Sequence, residues 1–321
     1  MNVLMFSGQG SQYFRMGEAL YRGNPLFRGH LDRLDEHAAA LIGTSVVAHI
    51  YDEASATGNP ICDIALANPA IFMVELALAR TLIDSGVPVA MTLGASLGAF
   101  AALTIAGMLD DEDALGAVVQ MARDAQSIAP KGGMIAIIAP LTAYDDPFLR
   151  DNSEVAAINF DSHFVISVDG DRIDDVENHL GARGILFQRL PVNYAFHSRW
   201  IDGLETHAKA ALASLPLRPA TIPFACCAHA RTFTRLPADY VWTLLRRPIL
   251  FRDTVRNLEA AGDYTYIDVG PSSTLATFVG YLLPHARARV SKIMDPFGND
   301  EANLSAILFR HGQRARPTAG A

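Results

Sequence analysis

Leu93-Gly94-Ala95-Ser96-Leu97-Gly98 is the stretch on which the reading of this chain turns. An apolar approach over residues 87–93 has strand character. After Ser96 it gives way to a helical pattern marked by Leu97, Phe100, Ala101, Leu103, Thr104 and Met108. The spacing Gly-x-Ser-x-Gly is that of a nucleophile elbow. At so tight a turn, a side chain at Gly94 or Gly98 would collide with the neighbouring strand or helix. The turn pushes the Ser96 hydroxyl out of the sheet and leaves the Leu97 amide at a helix N-terminus, free to donate to a developing oxyanion. The same residues also fit a glycine-rich turn carrying an idle serine, so the surrounding chain has to decide.

Upstream, residues 3–6 read as a short buried strand leading into Ser7-Gly8-Gln9-Gly10-Ser11-Gln12. Gly8 and Gly10 let the backbone pass close to a neighbour, with Gln9 between them placed to complete an oxyanion hole with the Leu97 amide. Asn68-Pro69 is expected to open a helix with Pro at its first position, and a further helical run covers residues 111–128. From Met134 the pattern becomes strand, helix, strand, strand, helix, strand as far as Leu190. This β-α-β-β-α-β order is that of a ferredoxin-like unit, read as a small insertion in a larger α/β domain. The expected division is a catalytic domain over 1–129 and 196–311, a ferredoxin-like subdomain over 130–195, and a mobile tail over 312–321.

Composition narrows the function. The 321 residues are 50% hydrophobic and carry a net charge of −8, so a sizeable core is expected and a nucleic-acid binder is not. Three cysteines (Cys62, Cys226 and Cys227) without a Cys-x-x-Cys argue against a disulfide framework or zinc site, with the adjacent pair read as small apolar residues of a strand over 222–228. The apolar N-terminal run stops at Ser7-Gly8, too short to span a membrane and without a basic flank. A soluble cytoplasmic protein is expected.

Of ten histidines, most, including His311, lie in polar helices or loops and read as surface residues, while His163 and His229 fit satisfied core positions. His197 stands apart, following Tyr194-Ala195-Phe196 at the junction just beyond the insertion. A serine nucleophile needs a base with a near-neutral pKa, which imidazole supplies.

The set Gly8-Gln9-Gly10-Ser11-Gln12, Gly94-Ala95-Ser96-Leu97-Gly98, Asn159, Ala195-Phe196-His197-Ser198 and Asp268-Val269-Gly270-Pro271 occurs in that order across nearly the whole chain. It resembles the acyltransferase family of fatty-acid and polyketide synthesis, whose best-known members are the malonyl-CoA:acyl carrier protein transacylases. The resemblance implies an α/β-hydrolase-like domain with an inserted ferredoxin-like subdomain and a Ser96–His197 dyad. It also implies an oxyanion hole from Gln9 and Leu97, and a backbone carbonyl near residues 247–250 to orient the histidine. Gln120, Met121, Asn159 and Phe196 would line the substrate pocket. No metal or redox cofactor is implied. The partners would be small acyl thioesters and an acyl carrier protein bearing phosphopantetheine, docked on Arg246, Arg247 and Arg252 or on Arg287, Arg289 and Lys292.

Two departures from the family pattern bear on the substrate. Ala95 and Ala99 stand where a histidine and a glutamate are usual. The arginine that pairs with a malonyl carboxylate would fall at Gln120, Met121 or Ala122, none of them cationic. Arg123 is near in sequence, but a shift of one or two residues turns a helix by roughly 100° or 200°. An unpaired carboxylate buried in an apolar site costs several kcal/mol, so a neutral acyl group is expected. In these features the chain resembles the acyl hydrolases that clear stalled acyl groups from carrier proteins in trans-acyltransferase polyketide synthases of antibiotic biosynthesis. The alternative is a malonyl transacylase loading extender units, supported by Phe196 before the histidine. A non-catalytic docking subunit is the third reading, opposed by the intact Ser96, His197 and Gln9.

Overall fold

The computed structural model of the chain describes residues 1–52, 61–237 and 239–312. Its strands, in chain order, are β1 (Asn2–Phe6), β2 (Met91–Gly94), β3 (Gly132–Ile138), β4 (Ser153–Phe160), β5 (His163–Asp169), β6 (Leu186–Arg189), β7 (Phe224–Cys226), β8 (Arg231–Phe233), β9 (Thr265–Asp268) and β10 (Val290–Lys292). They form two sheets.

The larger sheet has the order β10-β9-β1-β2-β7-β8 and is parallel except for β8. A parallel sheet is covered on both faces, which is why its strands read as continuous apolar runs. In β1, Leu4 and Phe6 join a core with helices Pro25–Ile42, Ile64–Asp84, Gly98–Ile105 and Asp111–Ile128. Val3 and Met5 point the other way, onto helices Phe251–Ala261 and Thr274–Leu282. Strands β8 and β10 were not foreseen. At three residues each they are too short to show a period of two.

The smaller sheet is wholly antiparallel, in the order β4-β5-β3-β6. With helices Pro147–Asn152 and Ile173–Ala182 it makes the ferredoxin-like β-α-β-β-α-β unit inserted in the α/β domain. One face packs Ile135, Ile137, Phe164 and Ile166 on Leu149, Val176 and Leu180. The other sets Met134, Ala136, Ala156 and Val165 against Phe196, Ile201 and Leu204. That second face is the one that matters for the site.

Some expectations shift. The helix expected to open at Asn68-Pro69 begins at Ile64, where the Asp63 side chain accepts from the Ala65 amide; Pro69 lies inside it. Among the described residues this is the one helix long and apolar enough to cross a membrane, and it is buried in the core instead. His311 is buried rather than surface-exposed, its ring beside the Asn2 amide. Of the expected tail only Gly312 is described, as the last residue of helix Asp300–Gly312; positions 313–321 lie outside the described residues.

Candidate active site

The elbow forms because nothing larger than hydrogen fits its glycines. A Cβ on Gly94 would sit 2.4 Å from the Ala99 Cα, and one on Gly98 would sit 2.2 Å from the Ser7 carbonyl oxygen and 2.3 Å from that of Phe6. These close approaches bring β1, β2 and helix Gly98–Ile105 together at the carboxyl edge of the sheet. Ser96 takes the left-handed backbone there, with φ 53°. For a non-glycine residue that conformation costs about 1–3 kcal/mol, supplied by the packing around it. Ala95 and Ala99 are both buried, so a carboxylate at 99 would lie in the core rather than in the site.

His197 comes to the same point from the far end of the insertion. It too is left-handed, with φ 61°. Its Nε2 lies 2.9 Å from Ser96 Oγ, and its Nδ1 lies 2.8 Å from the Arg247 carbonyl oxygen. That carbonyl fixes Nδ1 as the protonated nitrogen and leaves Nε2 as the acceptor facing the hydroxyl. Both flanks of the histidine are tied to the small sheet. Ser167 on β5 donates its hydroxyl to the Phe196 carbonyl. On the other side, Ile249 donates to the Ala156 carbonyl at 2.8 Å and accepts from Ile158 at 2.8 Å, joining the 247–250 loop to β4.

Burial pulls the His197 pKa down to about 4, and the Arg247 carbonyl offsets only part of that fall. The imidazole is therefore neutral, the form a general base needs. The sign follows: Ser96 reactivity toward an activated ester should be level from about pH 8 to about pH 5 and drop as the ring protonates. A stopped-flow pH profile with its acid limb near 6.5 would contradict this.

The Gly8-Gln9-Gly10 loop runs against the elbow. A Cβ on Gly8 would lie 2.9 Å from Ser96 Cβ and 3.5 Å from the Leu97 nitrogen. The Gln9 side chain is committed to Asn68, its Nε2 donating to Asn68 Oδ1. The backbone amides of Gln9 and Leu97 have no acceptor among the described residues. Two free N–H groups beside a serine are what an oxyanion hole requires. Sequence reasoning missed Asn68, which is buried and faces the site; a polar residue within an apolar helical stripe was the available signal.

A cavity of about 30 Å³ adjoins Ser96, lined by Gln9, Asn68, Leu97, Met121, Phe196 and three leucines (Leu204, Leu244 and Leu245). Of the four residues expected there, Met121 and Phe196 are present and two are not. Gln120 is exposed, one helical step round, with its amide on Asp124. Asn159 is buried on β4, its amide 3.1 Å from His163 Nδ1. Arg123 turns outward to the Leu41 carbonyl. Among the described residues, no cationic side chain lines the cavity.

The two arginine groups considered for docking are mostly neutralised. Arg246 pairs with Asp202 and Glu154, Arg252 with Asp253, Arg289 with Glu259 and Lys292 with Asp295. Arg247 has no ion-pair partner among the described residues. With Arg231 and His229 it lines an open cleft of about 510 Å³ beyond β7, in which both arginines help to depress the His229 pKa, after burial. Among the described residues, no cluster of three His, Cys, Asp or Glu is arranged to ligate a metal.

Residues 3–294 match the model of a family described as the acyl transferase domain. The chain is 40% identical over 315 residues to a polyketide biosynthesis acyltransferase homolog of Bacillus subtilis, PksD, covering 97% of each. It is 39% identical over 307 residues to the corresponding homolog of Bacillus velezensis, BaeD, covering 95% of each. Among solved structures, it superposes on a loading acyltransferase of the avermectin modular polyketide synthase with a TM-score of 0.86 and 23% identity, over 97% of this chain and 99% of that one. For the MCAT of Streptococcus pneumoniae the values are 0.80 and 23%, over 97% and 100%. These last two are likenesses of fold.

Proposed function

Since this chain belongs to the acyltransferase family of polyketide biosynthesis, and so acts as an enzyme on acyl thioesters, we propose that it is an acyl hydrolase that clears neutral acyl groups from acyl carrier protein. His197 Nε2 takes the Ser96 proton as Oγ attacks the thioester carbonyl. The Gln9 and Leu97 amides hold the oxyanion, and the phosphopantetheine thiol leaves with the proton returned by His197. Water then enters and gives a proton to His197 as its oxygen attacks the acyl carbonyl; the ester bond to Ser96 Oγ breaks, His197 returns the proton to Oγ, and the carboxylic acid leaves. Every step uses groups of this chain, a thioester and water.

The observation that carries the reading is the uncharged wall opposite Ser96. A malonyl carboxylate against Met121 and Phe196 would lose its hydration and meet no cationic partner among the described residues, at a cost of several kcal/mol. The narrow, mostly apolar cavity beside Ser96 suits a short neutral acyl chain. Arg231 and Arg247, without ion-pair partners among the described residues, give an acidic carrier a place to approach, and cysteines outside any disulfide suit a cytoplasmic setting.

Incubation with acetyl- and malonyl-loaded carrier protein, followed by intact-protein mass spectrometry, tests this. The expected result is loss of acetyl to water with malonyl largely retained. Rapid malonyl transfer to an empty carrier, with little hydrolysis, would instead establish the extender-loading transacylase.

A further inference from the structure

Glu75 is wholly buried in the apolar helix Ile64–Asp84, and the chemistry just described does not use it. Its Oε1 accepts from both the Ser7 amide and the Ser7 hydroxyl, each at 2.7 Å. Its Oε2 has no partner among the described residues, and no cation pairs with it there. A leucine would satisfy this core better, because a half-unpartnered carboxyl away from water is costly. The neighbouring buried carboxylate, Asp268, is committed elsewhere, accepting from the amides of Gly270 and Ala276 at 2.8 and 2.7 Å.

What Glu75 holds is the root of the Gly8-Gln9-Gly10 loop. Ser7 is the last residue before it. The Ser7 carbonyl lies against Gly98, and its hydroxyl lies where a Cβ on Gly270 would be 2.4 Å away. Ser11 closes the loop from the other side by donating to the Gly8 carbonyl at 2.8 Å. Asn68, two helical turns before Glu75 and so on the same face, takes the Gln9 side chain. One rigid helix therefore grips the loop twice.

We propose that Glu75 is a positioning residue which, through Ser7, sets the Gln9 backbone amide where it can donate to the oxyanion beside Ser96. This rests on the reading of Gln9 and Leu97 as the oxyanion hole. Burial drives the Glu75 carboxyl well above the ordinary carboxylate range, against the pull of the Ser7 bonds, so glutamine is its near-isostere.

The test is the pre-steady-state burst of p-nitrophenyl acetate with the full chain, a probe that needs no carrier protein. Glu75→Leu, checked for folding by its Tm, should slow acylation by about 10- to 100-fold. KM and the acid limb of the pH profile should stay put. Glu75→Gln should restore the rate to within about threefold, since it keeps the Oε1 acceptor. A folded Glu75→Leu that acylates at the wild-type rate overturns the proposal. So does a Glu75→Gln of unchanged Tm that acylates about tenfold or more below wild type, a result that can be read even if the leucine variant does not fold. A wild-type burst that survives Ser96→Ala would overturn the underlying site assignment, and the role of Glu75 with it.

Discussion

Ser96→Ala should lower the rate of acyl removal from a carrier thioester by about 10⁴- to 10⁶-fold while leaving the fold intact. The size of the loss follows from the geometry. The Ser96 Oγ lies 2.9 Å from His197 Nε2, and without it no acyl-enzyme can form. What survives is the oxyanion hole and the bound substrate, together worth about 10³- to 10⁴-fold over water in serine hydrolases. His197→Ala should be nearly as damaging, and the double variant scarcely worse than either, because the two act as a unit. Stability should hardly change, since alanine meets the same left-handed backbone at φ 53° as serine does. Single-turnover kinetics on acetyl-loaded carrier, followed by mass spectrometry, reads both the loss and the missing acyl-enzyme. Hydrolysis by Ser96→Ala at even a hundredth of the native rate would mean that His197 activates water directly.

Met121→Arg should shift the preference for malonyl over acetyl by about 10²- to 10³-fold, measured as the ratio of kcat/KM values. Met121 lies on the helix Asp111–Ile128, on the face that borders the serine. A guanidinium there would meet a carboxylate in an apolar, narrow cavity, where a bidentate pair replaces the hydration both lose. Acetyl turnover should fall as well, because an unpaired guanidinium next to a methyl group gains nothing. The neighbouring changes serve as controls: Gln120→Arg and Arg123→Ala, on outward faces, should leave the ratio where it is.

How legible this was in the sequence depends on whether a feature lives in side-chain identity or in the backbone. The elbow glycines could be read because at Gly94 and Gly98 any Cβ would strike the backbone within 2.4 Å. Residues 134–190 could be read because alternation and helical periodicity switch there several times in a short span. Arg247 could not be singled out, since its contribution is a carbonyl, which every residue carries. Gln120, Met121 and Arg123 could not be separated either. One residue of uncertainty in loop length rotates a helix by about 100°, and the cavity admits only one of the three. Glu75 could not be singled out either, since in sequence it is one polar residue in an apolar helix and its partner lies 68 positions away in the chain.

Because the inserted sheet grips His197 on both flanks, through Ser167 at Phe196 and through β4 at the 247–250 loop, it is no detachable ornament. Anyone building chimeras from this enzyme and a relative would find that exchanging the insert transplants the alignment of the base along with it. The workable graft boundary therefore encloses residues 132–250 as a single block, leaving the nucleophile to the recipient and carrying base, carbonyl and supporting strands together from the donor.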